Sequence, residues 1–168
     1  MFYLKHPITP IRPDFLQQVR QQGIDDLGQA VEHIVARGGE PCRDSLRRAK
    51  AGEALILASY CPFEKHGPYR EYGPIFVFAH DQGEIDHSSV QISARASDLA
   101  YLAAHVVLRG YSIQERIVDA RLSNPENAES DLQALWEHTE VAFILVRFAA
   151  YGCYALRLDR RPTPLTVT

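Results

Sequence analysis

The chain has 168 residues, 46% of them hydrophobic and 23% charged, with a formal net charge of −3. That is ordinary globular composition, and a chain this long buries about 70% of its unfolded surface without needing disulfide or metal staples. The mildly acidic balance and scattered basic residues exclude the cationic stripe of a nucleic-acid binder. No run approaches the ~18 apolar residues of a membrane span.

In chain order, the opening MFYLKHPITP lacks the features of a secretion signal, and FYLK within it suits a short strand. Residues 12–23, RPDFLQQVRQQG, predict a helix. Pro13 stands near its start, Phe15, Leu16 and Val19 share a face, and Gly23 follows its end. AVEHIVAR (30–37) fits a strand, while IDDLGQAVEHIVARGG fits a helix ending at Gly38. The reading adopted is a short helix followed by a strand. SLRRAKAGE (45–53) predicts a helical turn leading into a loop.

Strands then dominate. ALILASY (54–60) and IFVFAH (75–80) are continuous apolar runs, hence buried strands. AAHVVLRGY (103–111) and RIVDARLS (116–123) form a hairpin across the short link SIQE. NPENAESDLQALWEHTE (124–140) is the clearest helix. Asn124 caps it, Pro125 takes its first turn, and Ala128, Leu132, Leu135, Trp136 and Thr139 make an apolar stripe. VAFILVRFA (141–149) and CYALRLDR (153–160) flank the glycine-containing turn AYG, a second hairpin.

Hairpin links and few helices argue for an α+β fold: a mainly antiparallel sheet built from hairpins, with two or three helices packed on one face. Residues 1–168 read as a single domain, with 160–168 a peripheral tail.

The longest connection, within CPFEKHGPYREYGPIFVF (61–78), carries three prolines and two glycines, so it is shaped rather than floppy. On one reading Phe63, Tyr69 and Tyr72 cap the core. On the other, Tyr60 or Tyr69 with Arg70 walls a pocket for an anionic or planar molecule. Arg109 and Arg147 interrupt apolar strands, so each must reach water, a carboxylate or an anionic ligand. HDQGEIDH (80–87) holds two histidines and three acids but matches no metal-binding spacing, and His66 lacks a partner, so no metal site is expected. Cys42 beside Arg43, and Cys153 beside a turn, are the candidate reactive thiols, with inert burial the alternative. Three widely spaced cysteines fit neither a disulfide framework nor a zinc cluster, so the expected compartment is the reducing cytoplasm. No phosphate-binding, dinucleotide or hydrolase motif occurs, and no cofactor is expected.

The segments PCRDSL, GEALILASYCPFEKHGPYREYGPIFVFA, LRGYSIQERIVDARL and VAFILVRFAAYGCYALRLDR together resemble a bacterial family, domain of unknown function 1203, from about residue 30 to 160. The most specific pieces are Pro41-Cys42-Arg43, Gly67-Pro68-Tyr69, Gly73-Pro74-Ile75-Phe76, Arg109-x-Tyr111 and Gly152-Cys153. The resemblance implies a one-domain cytoplasmic protein with no assigned reaction. It also implies that a histidine common in the family is replaced here by Phe78, its role lost or passed to His80. The same pieces suggest that Arg43, Tyr69, Arg109, Tyr111 and Arg147, with Cys42 and Cys153, converge at one sheet edge. The expected function is then binding of an anionic small molecule, whether or not catalysis follows. The alternatives are a homodimeric partner-binding module and a thiol-dependent redox enzyme.

Overall fold

The computed structural model describes residues 2–3, 7–9, 11–83, 90–92, 100–102 and 104–160. Its frame is two five-stranded sheets. The first contains β3 (Glu32–Val35), β4 (Pro41–Cys42), β5 (Arg47–Arg48), β6 (Ala54–Tyr60) and β7 (Gly73–Phe78), in the order β3-β6-β7-β4-β5. The second contains β2 (Ile8–Thr9), β9 (Val106–Tyr111), β10 (Ile117–Ser123), β11 (Phe143–Phe148) and β12 (Tyr154–Asp159), in the order β10-β9-β11-β12-β2. A separate pair joins β1 (Phe2–Tyr3) to β8 (Gln91–Ile92). All pairings are antiparallel except β4 with β7, where Cys42 lies beside Phe76 in a parallel step.

Period-two alternation decides what each strand buries. Ile56, Ala58 and Tyr60 of β6 and Ile75 and Val77 of β7 share a core with Tyr111 of β9, Phe143 and Leu145 of β11 and Tyr154 of β12, so the two sheets meet across these faces. Phe15 and Val19 of the first helical segment enter the same core. On the far face of the second sheet, Val106, Leu108, Ile144, Val146, Leu156 and Leu158 are covered by Ala128, Leu132 and Leu135 of α2 (Ala128–Glu137). β11 is therefore buried at every position, which is why FILVRF is apolar throughout except at Arg147.

The two expected hairpins, the 12–23 helix and the strands at 54–60 and 75–80 all form, within a few residues of the expected bounds. The helix runs as α1 (Pro13–Gln17) and a widened π turn (Gln18–Gln22), closed by Gly23 at φ +68°. Three readings need correction. A single sheet with helices on one face becomes two sheets, because ALILASY and FILVRF each have two faces to cover. α2 lies outside the second sheet, whereas α1 joins the core between the sheets. The pairing is mainly antiparallel, as expected, and the one parallel step of β4 with β7 makes the first sheet mixed. No helix forms over 24–38. The Asp25 carboxylate instead accepts N–H bonds from Leu27 and Gln29, both 2.9 Å, and from Ser59, which folds a turn and releases Glu32–Val35 to pair with β6. Residues 45–53 contain β5 rather than a helical turn: Leu46, at φ +50°, reverses the chain so that Arg47 pairs with Cys42.

Two smaller shifts have local causes. Asn124 Oδ1 accepts the N–H of Glu126 and of Asn127, so Asn124 closes a turn and α2 starts three residues later, at Ala128. Of the expected tail, Arg160 is tied down: its guanidinium donates to the carbonyls of Trp136, His138 and Val141, capping the end of α2. Residues 161–168 lie outside the described residues. No helix among the described residues is long and apolar enough to cross a membrane.

Candidate functional site

One end of the two sheets opens into a cavity of about 170 Å³. Its walls are Tyr60 at the end of β6, Pro62, Glu71 and Tyr72 of the long loop, Gly73 and Pro74 at the start of β7, Arg147 near the end of β11, and Tyr151 to Tyr154. The proline-rich loop is held open by its neighbours. Glu115, at φ +59° in the β9–β10 turn, accepts the N–H groups of Glu64 and Lys65, both 2.9 Å. The Arg70 guanidinium folds back onto the Phe63 and Lys65 carbonyls and the Tyr72 hydroxyl, so it stiffens the loop rather than facing the cavity. Phe63 caps the core edge-on against Tyr111, with ring centroids 5.3 Å apart, while Tyr69 and Tyr72 are exposed. The opposite wall is anchored by Asp26, which accepts two bonds from Arg12 (2.7 and 2.8 Å) and the Cys61 N–H. Arg12 in turn lies 5.4 Å from the Tyr60 ring centre.

Arg147 occupies the floor. The β11–β12 ladder steps from Val146–Leu156 to Arg147–Tyr154, so Ala155 is an extra residue. Such a bulge re-aims side chains, and here it turns Tyr154 to the inter-sheet side beside Arg147. Gly152, at φ +68°, takes the left-handed turn conformation that a glycine accepts without penalty, and its carbonyl receives Arg147 Nη1 at 2.9 Å. Arg147 Nη2 donates to Glu71 Oε1. Arg109, on the same face of β9, donates to that same oxygen at 3.4 Å. Arg147 is 5% exposed, and its Nε is buried without a partner among the described residues. Glu71 stays 40% exposed at the side chain. Burial raises the pKa of Tyr60 and that of Tyr154 above the usual phenol value, so both remain neutral hydroxyls at physiological pH.

The sequence candidates divide. Arg147, Cys153 and, through Glu71, Arg109 come together. Arg43 lies behind the Tyr154 wall: its Nε donates to the Tyr154 carbonyl at 2.8 Å, another nitrogen donates to the Pro41 carbonyl, and Phe148 lies 5.1 Å beneath it. Burial pulls this guanidinium below its usual pKa, and no carboxylate among the described residues pairs with it. Tyr111 stacks on Phe143 in the core. That is four residues along β11 from Arg147, about 13 Å at strand rise. Tyr69 stands outside the cavity wall. Cys42 lies on the outer face of the first sheet, where burial pushes its thiol up to about 12; Arg43 does not activate it. Phe78 sits on that same outer face under the Arg47 guanidinium, 3.9 Å from its ring centre, and His80 is exposed. In the run 80–87, Glu84 to His87 lie outside the described residues.

Sequence reasoning passed over Glu71, Tyr151 and Tyr154. Glu71 had a readable signal: two guanidiniums on apolar strands need a carboxylate, and an acid sits in the stiff loop.

A sequence profile described as a protein of unknown function, DUF1203, matches residues 39–160. The chain belongs to this family. The match starts later than the residue 30 expected and takes in the loop, Arg109, Arg147 and the Gly152 turn, so every residue lining the cavity is family sequence, while Arg12 and Asp26 behind the Tyr60 wall precede it. No curated protein and no solved structure matches the chain.

Proposed function

We propose that the chain binds a small anionic molecule in the cavity above Arg147. One observation carries this reading. A guanidinium is 95% buried at the floor of a tyrosine-walled cavity, yet its Nε is unfilled and its ion-pair partner sits on an exposed loop. An arginine kept only for structure is usually satisfied on every donor, because an unmade buried hydrogen bond costs about 1–3 kcal/mol. Arginine suits carboxylate and phosphate because its Nε and Nη2 donors form a planar fork. The tyrosine rings lining the cavity give a flat apolar body something to lie against.

The test is calorimetric titration of the wild-type chain with phosphate, succinate, benzoate and nucleotides, repeated with Arg147→Met. Binding by at least one anion, lost in the variant, supports the site. Equal binding in both moves the site elsewhere, and no binding by any anion removes the proposal.

A further inference from the structure

We infer that Glu71 is a built-in occupant of this anion site, and that the true ligand is a compact dianion whose entry displaces it. The inference rests on the proposed anion-binding reading. Glu71 presents a single oxygen, Oε1, to both Arg147 Nη2 and Arg109 Nη1, and among the described residues no guanidinium hydrogen-bonds its Oε2. Arg147 is therefore engaged on one tine of its fork, with Nε, the adjacent tine, left over. A ligand oxyanion sitting squarely on the floor would take Nε and Nη2 together, the bidentate arrangement that Glu71 forgoes. Reach from the loop explains the compromise: Glu71 hangs between two strands and touches both guanidiniums at one point.

Charge decides the ligand class. With Glu71 in place, the two guanidiniums and one carboxylate leave a single positive charge. With Glu71 swung out into the solvent that already reaches it, two positive charges remain. A monoanion would merely replace what Glu71 supplies. A phosphate monoester head or a short dicarboxylate neutralises both guanidiniums, and the tyrosine walls receive whatever is attached. The loop can yield at this point. Its tip between Phe63 and Tyr72 is tied to itself by Arg70 and to the β9–β10 turn by Glu115, while Glu71 is followed by Gly73 and Pro74 at the strand entrance.

The experiment compares phosphate, succinate and benzoate binding to the wild type, Glu71→Gln and Glu71→Gln/Arg109→Gln. A chain that is open one part in ten binds about tenfold more weakly than a permanently open one. Glu71→Gln is therefore expected to bind phosphate and succinate at least about tenfold tighter than the wild type. The double variant should lose that gain, and benzoate, which must also displace Glu71 but carries one charge, should gain less than either dianion. Amide exchange in wild-type residues 70–73 should rise on saturation with phosphate, a readout that needs no variant to fold; Glu71→Ala repeats the titration if Glu71→Gln is unstable. Dianion binding equal or weaker in Glu71→Gln, with protected 70–73 amides, overturns the displaced-carboxylate inference and leaves the anion site standing. Benzoate binding without dianion binding overturns the ligand class. Failure of every anion in every variant overturns both this inference and the proposed function.

Discussion

Arg147→Met separates a functional guanidinium from a structural one. Two effects oppose each other. The substitution leaves the Gly152 carbonyl without its 2.9 Å donor, a loss of about 1 kcal/mol for an ordinary hydrogen bond. It also relieves the cost of burying a charge, and replacing a buried ion by an apolar side chain of similar length is often neutral or stabilising. Breaking a buried pair is expensive, about 3–5 kcal/mol, only when the other charge is stranded. Glu71 is not stranded, because its side chain is 40% exposed and can turn to water. The expected net change is a loss of no more than about 1 kcal/mol, or a slight gain, which corresponds to a midpoint shift within about 4 °C for a chain of this size. Urea unfolding and calorimetry would measure it, with circular dichroism confirming an unchanged fold. A loss above about 3 kcal/mol would show that the protein needs Arg147 to stand, and the argument that it is held in reserve for a ligand would fall.

Other outcomes follow from the same packing. Cys153 lines the cavity while Cys42 is fully buried with its thiol held up at about 12, so a neutral-pH alkylating reagent should label Cys153 and leave Cys42 untouched until the chain unfolds. Fast labelling of Cys42 in the native state, read by mass spectrometry, would contradict its placement. Burial raises the Asp44 carboxyl to about 6 despite its 2.6 Å pair with Arg20 and the N–H of Phe78. A raised acid stabilises the fold below its unfolded pKa, and that advantage is lost as pH climbs through the folded value. Relative to Asp44→Asn, the wild type should therefore lose about 2 kcal/mol between pH 4 and 6 and a few tenths more on either side, about 3 kcal/mol in all. A difference that is flat over this window, by urea unfolding, would refute the buried-acid argument. Gly110→Ala places a Cβ 3.0 Å from a Val141 methyl in the packed face under α2. It should cost about 1–3 kcal/mol by overpacking, measured by denaturation, and an unchanged midpoint would mean that face is looser than drawn.

Local chemistry alone was enough for most elements. The strands at 54–60 and 143–148, both hairpins and the α2 stripe are written in period-two runs, turn glycines and 3.6-residue spacing, signals that depend only on near neighbours. The chain around Asp25 misled for the opposite reason. Its carboxylate reaches Ser59, thirty-four positions away, and so turns a helical pattern into a turn and an edge strand. The same division holds at the cavity. That Arg109 and Arg147 needed a partner could be read from charge on apolar strands, and that the 61–74 loop was stiff could be read from its prolines and glycines. Their union through Glu71, the bulge that aims Tyr154 and the burial of Cys42 and Tyr111 were decided by how two sheets pack. Side chains far apart along the chain meet only when their faces do, and no local pattern carries that information.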